Sequence, residues 1–103
     1  MNKNFRGDTF FRNYSVELDD GIYNFQEGDK IKIAFCDGEN IFLPKEIKLS
    51  AGEKEIDVTW SAEEMATLEI KQYVLETEVV TKDFTITSQE VIRIDKDFIY
   101  GEE

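Results

Sequence analysis

Residues 27–35, EGDKIKIAF, set Ile31, Ile33 and Phe35 at every second position, with Lys30 and Lys32 between them. A strand points successive side chains to opposite faces, so this spacing buries three apolar residues and leaves two ammonium groups in water. A helix would scatter the same residues around its circumference. The stretch therefore predicts a half-buried β-strand, and the same period recurs on both sides of it.

Upstream, TFFRNYSVEL (9–18) puts Phe10, Tyr14, Val16 and Leu18 on one face, interrupted by Arg12. Asp20-Gly21 follows as a turn signal, because Asp and Gly tolerate positive φ. Downstream, Asp37-Gly38 ends the strand, and ENIFLPKEIKLS (39–50) alternates Ile41, Leu43, Ile47 and Leu49. Pro44, the one proline, has no N–H to give a ladder, which predicts an edge strand or a break there. Ala51-Gly52 turns again, and Ile56, Val58 and Trp60 then face one way, with Asp57 and Thr59 opposite.

The period changes at SAEEMATL (61–68). Ser61 and Glu64 have the S-x-x-E spacing of a capping box, and Met65 and Leu68, three apart, face inward. One or two helical turns are too short to stand alone, so the segment reads as a crossover. Strand character resumes with Tyr73, Leu75, Thr77 and Val79, and Lys82-Asp83 turns the chain. DFTITSQEVIRI (83–94) aligns Phe84, Ile86, Ile92 and Ile94, with Ser88 and Glu90 as a polar interruption. A bulge or sheet switch is expected near Ser88-Gln89.

These segments predict an all-β fold: an antiparallel, immunoglobulin-like β-sandwich of about seven strands with one short helical crossover near residues 61–68. A small barrel is the alternative. The chain has no Cys…Trp…Cys spacing, so it is not an antibody-type domain. Its 103 residues suit one domain spanning 1–103. Residues 1–5 and 96–103 are expected to fray, although Phe98, Ile99 and Tyr100 are too apolar for an idle tail.

The formal charge is −11, from 23 acidic and 12 basic residues. Residues 1–50 hold nine acids and seven bases (−2), and residues 51–103 hold fourteen and five (−9). This balance argues against nucleic-acid binding, which needs a basic stripe. An acidic DNA mimic is one reading of the second half; a solvated, repulsive surface is the simpler one.

With no histidine and a single cysteine, Cys36, neither a disulfide, a zinc site nor a His-assisted nucleophile is expected. No cofactor and no metal are expected. Asp19-Asp20-Gly21 and Asp37-Gly38-Glu39-Asn40 lack the alternating ligands of a calcium loop and read as hairpin turns. Carboxylate pairs such as Glu17/Asp19 and Glu76/Glu78 arise by chance among so many acids. Trp60 and Tyr73 share strand faces with apolar residues and read as core rather than sugar platforms. Cys36 reads as a buried strand-end hydrophobe. No apolar run approaches the ~18 residues of a membrane helix, and none follows Met1 as a signal peptide would require. The expectation is folding in the cytoplasm of the producing cell.

Arg6-Gly7-Asp8 spells an adhesion tripeptide. Thr9 and Phe10 begin a strand at once, so the same letters read better as the entry to that strand, with Gly7 allowing the bend.

An ordered set of features covers roughly residues 5–95. Gly7-Asp8-Thr9 precedes the first strand, Asp20-Gly21 forms a turn, and Gln26-Glu27-Gly28-Asp29 steps into Lys30-Ile31. Ser61-Ala62-Glu63-Glu64-Met65 leads a crossover, and Tyr73-Val74-Leu75-Glu76 opens an aromatic strand. In this order and spacing the chain resembles the immunoglobulin-like N-terminal domain of upper baseplate proteins from tailed phages of Gram-positive bacteria. It departs from that family in stopping at Glu103 and in lacking a glycine before the aromatic strand, where it has TLEIKQY.

The resemblance implies a non-enzymatic structural module of a phage or prophage tail, assembled in the bacterial cytoplasm. Its partners would be other tail or baseplate proteins, with self-association as a further option, and neither nucleic acid nor membrane insertion. Candidate contacts are Pro44 and the Phe98–Tyr100 segment, because strand edges and exposed aromatics favour association. A carbohydrate- or surface-binding sandwich is the alternative class.

Overall fold

The computed structural model describes the backbone of residues 3–5 and residues 8–95. The strands are β1 (Lys3–Phe5), β2 (Phe10–Tyr14), β3 (Glu17–Leu18), β4 (Gly21–Ile22), β5 (Lys30–Asp37), β6 (Asn40–Lys48), β7 (Ile56–Trp60), β8 (Gln72–Val80) and β9 (Thr85–Asp95). One helical turn, α1 (Ala62–Met65), links β7 to β8. A five-stranded sheet runs β1-β9-β8-β5-β6, faced by the two-stranded sheet β2-β7; β3 and β4 form a small hairpin. All pairings are antiparallel except β1 with β9. The chain folds as an all-β sandwich.

The alternation of β5 places Ile31, Ile33 and Phe35 in the core, fully buried against Tyr73, Leu75 and Val79 of β8. Phe10 of β2 and Trp60 of β7 close over Phe35, with ring centroids 5.3–5.5 Å apart and edges against faces. This edge-to-face arrangement suits the quadrupoles of the rings and adds to their area burial. The two sheets thus share one apolar layer, as a two-layer fold requires.

The cap expected at Ser61 forms as written. Glu64 N–H donates to Ser61 Oγ at 3.1 Å, and Ser61 N–H donates to Glu64 Oε1 at 2.8 Å. Met65 and Leu68 are buried beneath this turn. Between β5 and β6, Asp37 pairs with Asn40, so Gly38 and Glu39 form a two-residue loop, and Gly38 takes φ +63°. That conformation favours glycine in tight hairpins.

Four sequence expectations are corrected. The two facing sheets hold the seven strands expected, and the described residues add the two-residue strands β3 and β4, so the first correction concerns the run from Thr9 to Leu18. The first run breaks after Tyr14, because Val16 turns inward, its carbonyl accepts from Tyr23 N–H (2.8 Å), and Leu18 stays exposed in the small hairpin. The second correction concerns Ser88-Gln89, where β9 keeps one unbroken register with β8. The irregularity lies in β6 instead. Register passes from Ile33↔Lys45 to Phe35↔Phe42, which sets two β6 residues, Leu43 and Pro44, against the single Ala34 of β5.

The third correction follows from that bulge. An extra residue flips every side chain beyond it to the other face. Ile47 therefore faces the core while Ile41, of the same parity, faces solvent, and Phe42 turns inward onto Tyr73 at 5.6 Å. Fourth, Ile86 is exposed rather than aligned with the buried Ile92 and Ile94, because the smaller sheet does not reach over it.

Candidate functional site

The outer face of the large sheet bears the even-numbered residues of β5, whose alternation reserves the other side for the core. Lys30 and Lys32 give way along this face to Ala34 and Cys36. Register carries the change across the sheet: Ile41 of β6 lies opposite Cys36, Cys36 opposite Val74 of β8, and Val74 opposite Val91 of β9. An apolar row thus crosses four strands on the solvent side. At the ordinary strand spacing it spans about 15 Å. Ile41 is 65% and Val91 55% exposed, so the row is uncovered among the described residues.

Beside it lies a depression of about 400 Å³ with Ala34, Cys36, Ile41 and Pro44 among its lining residues. It exists because the β6 bulge skips Ala34, the smallest side chain of β5, which has no direct partner in β6. Pro44, the predicted contact, sits on the edge strand, as its missing N–H requires, and lines the depression. Leu43 adopts φ +51° at the bulge. For a branched L-residue that conformation costs roughly 1–2 kcal/mol. Trp60 Nε1–H donates to the Leu43 carbonyl at 3.1 Å, which ties the bulge to the core.

Glu46, Glu76 and Glu78 stand on the same face, interleaved with Lys32: the register sets Lys32 opposite both Glu46 and Glu78. Gln89 Nε2–H donates to Glu76 Oε2 at 2.9 Å. Carboxylates alternating with ammonium groups do not form the parallel acidic rows that imitation of DNA requires. Cys36 is half-buried rather than fully buried, and burial followed by the nearby Glu76 raises its thiol above the usual range. It is therefore a protonated apolar group at neutral pH, not an activated nucleophile.

Elsewhere the polar groups serve the fold. Buried Asp29 accepts from Tyr23 Oη–H (3.1 Å) and from Gln26 N–H (2.8 Å), which closes the turn before β5. Trp60 and Tyr73 are fully buried and offer no platform to a sugar; Tyr23, half-buried, packs edge-on against Phe25 and Phe84. Among the described residues no group of three or more acidic or cysteine side chains is arranged to hold a metal, and no helix is long and apolar enough to cross a membrane. Asp8 is exposed in a bend, while Arg6 and Gly7 lie outside the described residues, as do Phe98, Ile99 and Tyr100.

The outer row escaped the sequence reading, yet a signal for it was present. Val74 and Val91 occupy positions that the alternation assigns to solvent. Two apolar residues at polar positions of adjacent strands are the trace that a surface patch leaves in sequence. No family model, curated protein or solved structure matches the chain.

Proposed function

We propose that the protein is a non-enzymatic assembly module that acts by protein–protein contact, an immunoglobulin-like tail component of a phage or prophage of a Gram-positive host. The observation that carries the contact reading is the Ile41–Cys36–Val74–Val91 row with the adjoining depression. Uncovered apolar surface bordered by charge is typical of association sites. The order of the GDT entry, the Asp-Gly turn and the capped crossover supports the tail assignment, and the antiparallel sandwich is compatible with it. The partner is another tail subunit with an apolar ridge that fills the depression between Pro44 and Ala34.

The test is binding of the purified protein to the purified products of neighbouring genes, measured by calorimetry. Tight binding that falls at least about tenfold in Ile41→Lys and in Val91→Lys is expected, since each change places an unpaired charge in an apolar contact. Failure to bind any of these products, or binding indifferent to both changes, would overturn the reading.

A further inference from the structure

The five-stranded sheet has a second edge, and it is built differently from the first. In β9, every residue from Thr85 to Val91 is exposed on both faces. β8 pairs with it from Thr85 to Arg93, but among the described residues β1 covers its other side only from Arg93 to Asp95. Ile94 N–H donates to the Lys71 carbonyl (2.9 Å), and the Phe84 carbonyl accepts from Thr81 N–H (2.8 Å). Even-numbered residues therefore turn their main-chain groups toward β8. By the alternation of an antiparallel ladder, Thr85, Thr87, Gln89 and Val91 turn theirs toward the opposite, open edge.

Protein edges are usually blunted by proline, lysine or a bulge. The β6 edge has all three: Pro44, the Leu43 bulge, and Lys45 and Lys48. Thr85–Val91 has none. Its single charge, Glu90, is held by Arg12 through two hydrogen bonds, Nε at 3.0 Å and a terminal guanidinium nitrogen at 2.7 Å. In a chain of net charge −11, this is a stretch along which two copies can approach without carboxylates meeting.

We propose that Thr85–Val91 is a self-pairing edge, at which a second copy of the chain adds its own β9 antiparallel. A two-fold axis through Ser88 maps the stretch onto itself, bounded by the Lys82-Asp83 bend at one end and by β1 at the other. Thr85 then lies opposite Val91, Thr87 opposite Gln89, and Ile86 opposite Glu90. No like charges face each other. The four outward residues of each copy supply about eight main-chain hydrogen bonds, two per hydrogen-bonded pair. The two large sheets become one, as in β-strand addition. This edge shares only Val91 with the outer row, and the inference does not depend on the tail assignment.

The test is sedimentation velocity of the full chain over a wide concentration range. The wild type is expected to shift toward twice the monomer mass as concentration rises. Thr87→Pro removes an outward N–H and leaves the β8 ladder intact, so it is expected to lose the dimer while keeping its fold by circular dichroism. Ile41→Lys is expected to dimerise like wild type, which separates this edge from the outer face. Amide exchange on the wild type gives a second readout independent of any variant: Thr85, Thr87, Gln89 and Val91 become protected as concentration rises. A wild type that stays monomeric throughout, a folded Thr87→Pro that still dimerises, or exchange at these four amides that ignores concentration would overturn the proposal.

Discussion

Along β2 the packing changes character within four residues. At Phe10 the strand is sealed: the ring meets Phe35 and Trp60 edge-on, and all three are buried. By Arg12 and Tyr14, still on the inward face, the partners are polar. Arg12 reaches across the layer to Glu90 of β9, and its guanidinium carbon lies 4.3 Å from the centre of the Phe10 ring. Tyr14 Oη accepts from Thr77 Oγ1–H at 3.1 Å, beside a crevice of about 270 Å³ that Ile86 and Ser88 also line. One end of the sandwich is closed by apolar burial; the other is a seam held by polar contacts, from the buried Thr77 hydroxyl to the partly exposed Arg12–Glu90 pair. The difference has a simple source: a two-stranded layer cannot cover a five-stranded sheet, so the uncovered half must carry polar groups.

The contrast can be broken most forcefully at its apolar end. Trp60→Ala removes the largest buried side chain and the donor to Leu43, and is expected to cost about 3–5 kcal/mol. That is a large share of the 5–15 kcal/mol typical of a domain, so the urea midpoint should collapse. A loss no greater than that of a seam variant would erase the distinction. Thr77→Val, which keeps the shape but deletes the hydroxyl, is expected to cost about 1 kcal/mol in the same urea titration, the usual net value of one hydrogen bond. Much more would mean that the seam excludes water.

The Arg12–Glu90 pair comes next. Its side chains are 31% and 49% exposed. A double-mutant cycle to alanine should give a coupling of ~1 kcal/mol or less that fades with added salt. Insensitivity to salt would place the pair inside rather than at the mouth.

The smallest effect concerns the cap beneath the closed end. The Ser61 main-chain N–H lowers the Glu64 carboxyl below its ordinary range; burial opposes this, and Lys45, 3.3 Å away, adds to the lowering. A depressed carboxylate contributes stability that is present above the unfolded-state pKa and is lost as pH falls through the folded one. The melting temperature of wild type should therefore fall more between neutral and strongly acidic pH than that of Glu64→Gln. Parallel curves would remove the cap from the account.

Much of the fold was legible because local rules govern it. The alternation of β5, the turns at Gly38 and Gly52, the capping box and the edge position of Pro44 each depend on neighbours in sequence, and each holds. The readings that failed were those in which distant strands decide the outcome. Ser88 and Glu90 look like a break in a strand, and Arg12 looks like an error in another. The structure makes Arg12 and Glu90 two ends of one ion pair, with no bulge between them. Of the candidate contacts, Pro44 lies in the depression, whereas Ile41, Cys36, Val74 and Val91 were missed because their row exists only once four strands are in register.

By itself, then, the sequence determined that this chain is a β protein, where its strands turn, which face of β5 is buried, and which strand could not be central. Period and turn chemistry act over a few residues and need no partner. Only the tertiary structure decided that the β6 bulge reverses Ile41 and Phe42, that Arg12 answers Glu90, and that the apolar residues of four strands line up outside the core. Each of those depends on which residues meet across a ladder or a layer, and alternation within one strand specifies a face without specifying what lies opposite it.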